Sequence, residues 1–95
     1  MRKHILEEAI NVTTGDRQNT YGSPKDTFDA IARFWSDYLR IPLSGEDVCH
    51  LMTLLKIART QTGNGYHEDS YVDACGYEAI AAELAGVETK SFECS

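Results

Sequence analysis

Proline is nearly absent from this chain of 95 residues, with Pro24 and Pro42 its only two. Each stands where a helix opens or has just closed, so proline interrupts no apolar periodicity elsewhere. No apolar run approaches the ~20 residues of a membrane span. At the N-terminus, MRKHILEEAINV places basic residues ahead of Ile5 and Leu6, but Glu7 and Glu8 break any signal-peptide core. Cysteine is scarce and odd in number: Cys49, Cys75 and Cys94 have no metal-ligand spacing, and a reducing compartment is expected. His4, His50 and His67 are scattered with no two at ligand spacing, so no metal site is expected. Basic residues are outnumbered, 9 against 15 acids, for a net charge of −6. That balance argues against nucleic acid as a partner, because a nucleic-acid surface must neutralise phosphates. It leaves room for a locally positive pocket that accepts a small anion. Strand signals, repeats and low-complexity segments are also missing.

What remains is a helical chain long enough for one modest core. The expectation is an all-α domain over residues 1–86 with a polar tail over 87–95. Helix one is predicted from about Lys3 to Val12, with Ile5, Leu6, Ala9 and Ile10 on a narrow apolar face. Helix two is predicted from Pro24 to about Leu39, where Phe28, Ile31, Phe34, Trp35, Tyr38 and Leu39 give the largest apolar surface. Three short partners cannot cover that surface, so completion by self-association into a homo-oligomer is expected. Ser44 with Asp47 three residues on forms a capping box for helix three, which runs to about Gln61. Helix four is predicted from about Asp69 to Leu84, stopped by Gly86.

The centre of the chain is LLKIARTQTGNGYHEDSYVDACGY, from Leu54 to Tyr77. It reads as two helices joined by a turn on Gly63-Asn64-Gly65, and hence as an antiparallel hairpin. At ~100° per residue, Val48, Leu51, Met52, Leu55 and Ala58 share one side of helix three. Arg59 projects into that stripe and Lys56 sits at its edge. On helix four, Val72, Gly76, Ile80 and Leu84 make the stripe, with Asp69 and Asp73 inside it. Arg59 is therefore expected to face Asp69 and Asp73 across the hairpin. Charges placed inward cost several kcal/mol unless paired. Two readings follow: an internal salt-bridge network, or a network bordering a cavity for a charged small molecule. Gly76 favours close approach of a backbone or ligand, since glycine in a helix costs roughly 1 kcal/mol against alanine. Tyr77 beside it joins the candidate ligand-binding residues.

The second informative stretch is DRQNTYGSPKD. Ser23 is a natural N-cap, Pro24 suits the first helical position and Asp26 stands where a capping-box acid belongs. Arg17, Asn19, Tyr21 and Lys25 are thereby delivered around a helix start, a ready anion site. Arg17 and Lys25 are the expected phosphate partners, and Tyr21 the ring that packs on a base. The alternative is an ordered, solvated connection.

The order GDRQNTYGSP, FWSDYL, DV…M..LLKIAR and D…VDACGYEAIAAE resembles a family of small phage and prophage proteins, over roughly Ile5 to Glu83. More distantly, the hairpin with paired acids is similar to the MazG-type all-α nucleotide pyrophosphohydrolases. That resemblance implies ExxE on one helix and ExxD on the next, with four acids holding a divalent metal near nucleotide phosphates. Here Lys56 and Arg59 stand where two of the acids belong. A cation there repels a metal and binds phosphate directly. Asp47 lies about 18 Å along the helix from Arg59 at ~1.5 Å per residue, leaving Glu7 or Glu8 as sources of further acids.

The expected function is therefore binding of a phosphate-bearing nucleotide or nucleotide-derived signal in the host cytoplasm, without cofactor. Sequestration against host immune signalling is the form suggested by analogy with phage sponges. The alternatives are a MazG-like hydrolase using magnesium or manganese, and a structural protein with no ligand.

Overall fold

The computed structural model describes residues 1–15 and 22–89. Four helices occupy them: α1 (Arg2–Thr14), α2 (Pro24–Leu39), α3 (Gly45–Thr60) and α4 (Glu68–Thr89), with no strand among the described residues. The all-α class expected from the sequence is what the chain adopts. Among the described residues, no helix is long and apolar enough to cross a membrane.

Local chemistry sets most of the helix ends. The Asp26 backbone N–H donates to Ser23 Oγ at 3.2 Å, with Pro24 opening α2. At α3 the capping box is complete: the Asp47 N–H donates to Ser44 Oγ at 3.0 Å, and the Ser44 N–H donates to Asp47 Oδ2 at 2.9 Å. Two otherwise orphaned donors are thereby satisfied. α2 closes on Arg40 in the left-handed region (φ 59°) rather than on a glycine. The Leu43 N–H then donates to Ser36 Oγ at 2.9 Å, tying the α2–α3 connection back onto the helix. Between α3 and α4, Gly63 and Gly65 take φ of 78° and 77°, the left-handed backbone that glycine adopts freely. The one boundary that departs from expectation is the last. α4 continues through Gly86 to Thr89, because a lone glycine costs a long helix only roughly 1 kcal/mol.

The hairpin of α3 and α4 is the most extensively packed pair; α2 lies against α3, and α1 against α4. The core is formed by Phe28 and Ala32 of α2, Val48 and Cys49 of α3, and Ala81 and Leu84 of α4. Ile31, Trp35, Met52, Tyr77 and Ile80 pack around it. α1 contributes little: Ala9 is buried, while Leu6 and Ile10 are exposed.

The hairpin is closed at a different rotation of α3 from the one the apolar stripe suggests. Its buried and half-buried positions are Gly45, Glu46, Val48, Cys49, Met52, Thr53, Lys56 and Thr60. Leu51, Leu55, Ala58 and Arg59 are exposed. The inward face is thus turned by roughly a quarter of a turn, at ~100° per residue.

Candidate functional site

That rotation decides which charges meet. Lys56, expected at the edge of the stripe, points inward with its side chain only 15% exposed, and its Nζ lies 2.8 Å from Asp73 Oδ2. Arg59, expected to make this contact, is exposed and has no ion pair among the described residues. Asp69 is exposed as well, so the expected three-membered cluster is a two-membered one. The physical reason is positional. Lys56 lies three residues before Arg59, ~300° around the helix, and its four-carbon stem covers apolar surface while the ammonium reaches the acid.

The Lys56–Asp73 pair lines a cleft of about 450 Å³. α1 supplies Val12 and Thr13, Gly22 lies just ahead of α2, and the start of α2 supplies Pro24, Thr27 and Phe28; Gly76, Tyr77 and Ile80 of α4 complete the wall. Tyr77 is held by an edge-to-face contact with Phe28, their ring centroids 6.1 Å apart at 89°. Gly76 meets its expected requirement, since a Cβ there would stand 3.1 Å from Thr13 Cγ2. Its missing side chain lets α1 approach α4 and open the cleft between them.

Of the sequence-predicted site residues, the structure brings together Lys56, Asp73 and Tyr77. Lys25 is exposed at the start of α2, its Nζ 2.6 Å from Asp29 Oδ2. Arg17, Asn19 and Tyr21 lie outside the described residues. The segments on either side of them, through Thr13 and from Gly22, both line the cleft.

Two further clusters arise from contacts that spacing alone does not reveal. His50 Nδ1 lies 2.8 Å from Glu78 Oε2 and its Nε2 3.0 Å from Glu46 Oε2, while Thr53 Oγ1 donates to the same Glu78 oxygen at 2.7 Å. Hydrogen bonding to Glu78, then to Glu46, raises the His50 pKa, and the Thr53 hydroxyl holds the Glu78 carboxyl below its ordinary value. The second cluster is His4 and Glu8 of α1 with Glu68 of α4, one ligand atom of each lying within 4.8 Å of the others. The i, i+4 pairing of His4 and Glu8 was readable, but Glu68 stands 64 positions beyond His4. Cys49, by contrast, is fully buried, and desolvation, with Glu78 and Glu46 adding to it, pushes its thiol up to about 12. It is a core residue without thiolate character.

Residues 4–85 match the family described as a domain of unknown function, DUF6378. The chain belongs to this family. Similar proteins include the Gene 55 protein of Mycobacterium phage D29, 47% identical over 84 residues, a match covering 88% of this chain and 55% of that protein. The Gene 55 protein of Mycobacterium phage L5 is 40% identical over 81 residues, covering 84% of this chain and 51% of that protein. The DUF6378 chain thus spans about half the length of these curated relatives, and its resemblance to phage proteins is borne out. No solved structure matches it.

Proposed function

We propose that the cleft of this DUF6378 domain binds a phosphate-bearing nucleotide or nucleotide-derived signal, and that the protein works by holding it. The observation that carries this reading is the mostly buried Lys56 ammonium beside Asp73 in a cleft whose wall includes the apolar surface of Val12, Pro24, Phe28, Tyr77 and Ile80. An apolar cleft with a few convergent polar groups is the usual form of a small-molecule site, and about 450 Å³ falls within the common range. The apolar wall suits a flat base. Asp73 can accept from ribose hydroxyls or a base N–H, and Lys56 can offset one phosphate charge. Arg17 and Lys25 take the remaining phosphates in this reading, and Asn19 and Tyr21 are further candidates for contact with the same ligand.

Holding is favoured over hydrolysis by the donor set. A MazG-type reaction calls for four acids around the nucleotide, and Asp73 is the only carboxylate lining the cleft among the described residues. Sequestration of a signal in the host cytoplasm, as a phage-type sponge, is the biological form we propose, supported by the phage relatives.

Calorimetry against nucleoside triphosphates, cyclic dinucleotides and ADP-ribose derivatives, with and without magnesium or manganese, tests the reading. Saturable binding with intact ligand recovered is the expected result. Charge-assisted hydrogen bonds contribute about 1.5–3 kcal/mol, so Lys56→Met and Lys25→Ala should each weaken binding about ten-fold or more. Metal-dependent release of pyrophosphate would replace holding with hydrolysis. Absence of binding across the panel would overturn the proposal.

A further inference from the structure

We propose that His4, Glu8 and Glu68 form a site for a first-row divalent cation that fastens α1 to α4. Helical spacing puts His4 and Glu8 one turn apart on the same face of α1. Glu68, in the first turn of α4, comes to meet them: its Oε2 already lies 3.0 Å from His4 Nε2. One ligand atom from each of the three side chains lies within 4.8 Å of the others. Ligands at about 2.0–2.2 Å from a shared ion stand no more than about 4.4 Å apart, so small rotations of these partly exposed side chains complete the site. An imidazole with two carboxylates is a donor set for zinc or manganese, whereas magnesium and calcium favour oxygen alone. Outside this trio, the Asn11 side-chain amide donates to Glu8 Oε2 at 3.0 Å, the kind of outer partner that orients a ligating carboxylate.

The placement gives such an ion a purpose. α1 buries only Ala9 and packs chiefly on α4, yet its last turn supplies Val12 and Thr13 to the cleft wall. A cation bridging the first turns of α1 to the start of α4 holds that wall in place from its far end. The proposal stands whether or not the cleft takes a nucleotide.

The full chain, stripped with a chelator, is titrated calorimetrically with zinc and with manganese, with magnesium as the oxygen-preferring comparison. The expected result is saturable one-to-one binding of zinc or manganese and weaker binding of magnesium. Hydrogen exchange in α1 should slow when the metal is added. His4→Ala and Glu68→Gln change partly exposed side chains and should fold normally by circular dichroism, yet weaken binding about ten-fold or more. His50→Ala, in the other histidine–glutamate cluster, should leave binding unchanged. Non-saturable uptake, equal affinity in His4→Ala, or loss of binding with His50→Ala instead would each overturn the site.

Discussion

A neutral imidazole donates from only one of its two ring nitrogens, so a carboxylate at each nitrogen favours the imidazolium over the neutral ring. His50 is in that position, between Glu78 of α4 and Glu46 one turn back on α3. The groups that face it from both helices are these two carboxylates and the Thr53 hydroxyl, which shares Glu78 Oε2. Because its pKa is raised above the unfolded value of ~6.5, His50 contributes stability fully at pH below that value. The contribution fades as pH rises through the raised folded value. Glu78 behaves oppositely: with its pKa lowered, its contribution is present above the ordinary carboxylate range and is lost as pH falls through the folded value. The network is therefore strongest in the window between carboxylate and histidine titration. The melting temperature of the native chain should fall on the alkaline side of the histidine range, and His50→Gln should flatten that limb. Parallel alkaline limbs in the two proteins would show that His50 does not clamp the hairpin. The clamp is exposed, so its effect should also shrink in high salt.

Among the elements, α1 buries little, with Ala9 its one buried residue among the described residues, and Gly76 is where it comes close to the α4 backbone. A methyl at position 76 would lie 3.1 Å from Thr13 Cγ2, tighter than ordinary contact. Thr13 cannot swing aside freely, because its χ1 is stiff and its hydroxyl donates to the Ala9 carbonyl at 2.8 Å. Helix propensity alone would make Gly76→Ala stabilising by up to ~1 kcal/mol, while overpacking costs roughly 1–3 kcal/mol. We expect the clash to win, with a net loss of about 1 kcal/mol in denaturant unfolding. Thr13→Ser removes the offending methyl and keeps the hydroxyl, so the double variant should recover the loss. A single Gly76→Ala variant as stable as the native chain would mean that α1 slides without cost.

The elements also show what could be read in advance. Ser23, the Ser44–Asp47 box and the turn at Gly63 and Gly65 act within a few residues of themselves, and each does what its neighbours in sequence imply. The rotation of α3 is set by α2 and α4, and local periodicity does not contain it. That is why Lys56 rather than Arg59 reaches Asp73, and why Asp69 is left in solvent. The approach of Glu68 to His4 is likewise a product of the α1–α4 contact, visible only once the helices are packed. Arg17, Asn19 and Tyr21 lie outside the described residues.

For the molecule as a whole, the rotation of α3 has a second consequence. Its apolar residues form a band wider than the core can use. Val48, Cys49 and Met52 pack inward, while Leu51, Leu54, Leu55 and Ala58 repeat at i, i+3, i+4 and i+7 on the exposed side. On α2, Phe34 and Tyr38 are 72% and 88% exposed, with Leu39 and Ile41 beyond them. The stripe read from the sequence is therefore the sum of two faces, one meeting the rest of the chain and one left uncovered. Monomeric proteins seldom leave so many large apolar side chains in water on neighbouring helices. We propose that a second copy covers them, giving the homo-oligomer that the breadth of α2 already suggested. Light scattering at micromolar concentration should return a multiple of the 10.6 kDa chain mass. Full burial of a leucine or phenylalanine contributes about 1.5–3 kcal/mol, so Leu54→Glu and Phe34→Glu should shift the mass toward the monomer while leaving the helical circular dichroism intact. Phe28 and Val48, already in the core, are the contrast: polar substitutions there should unfold the chain rather than dissociate it. A native chain that scatters as a monomer at these concentrations would rule the assembly out.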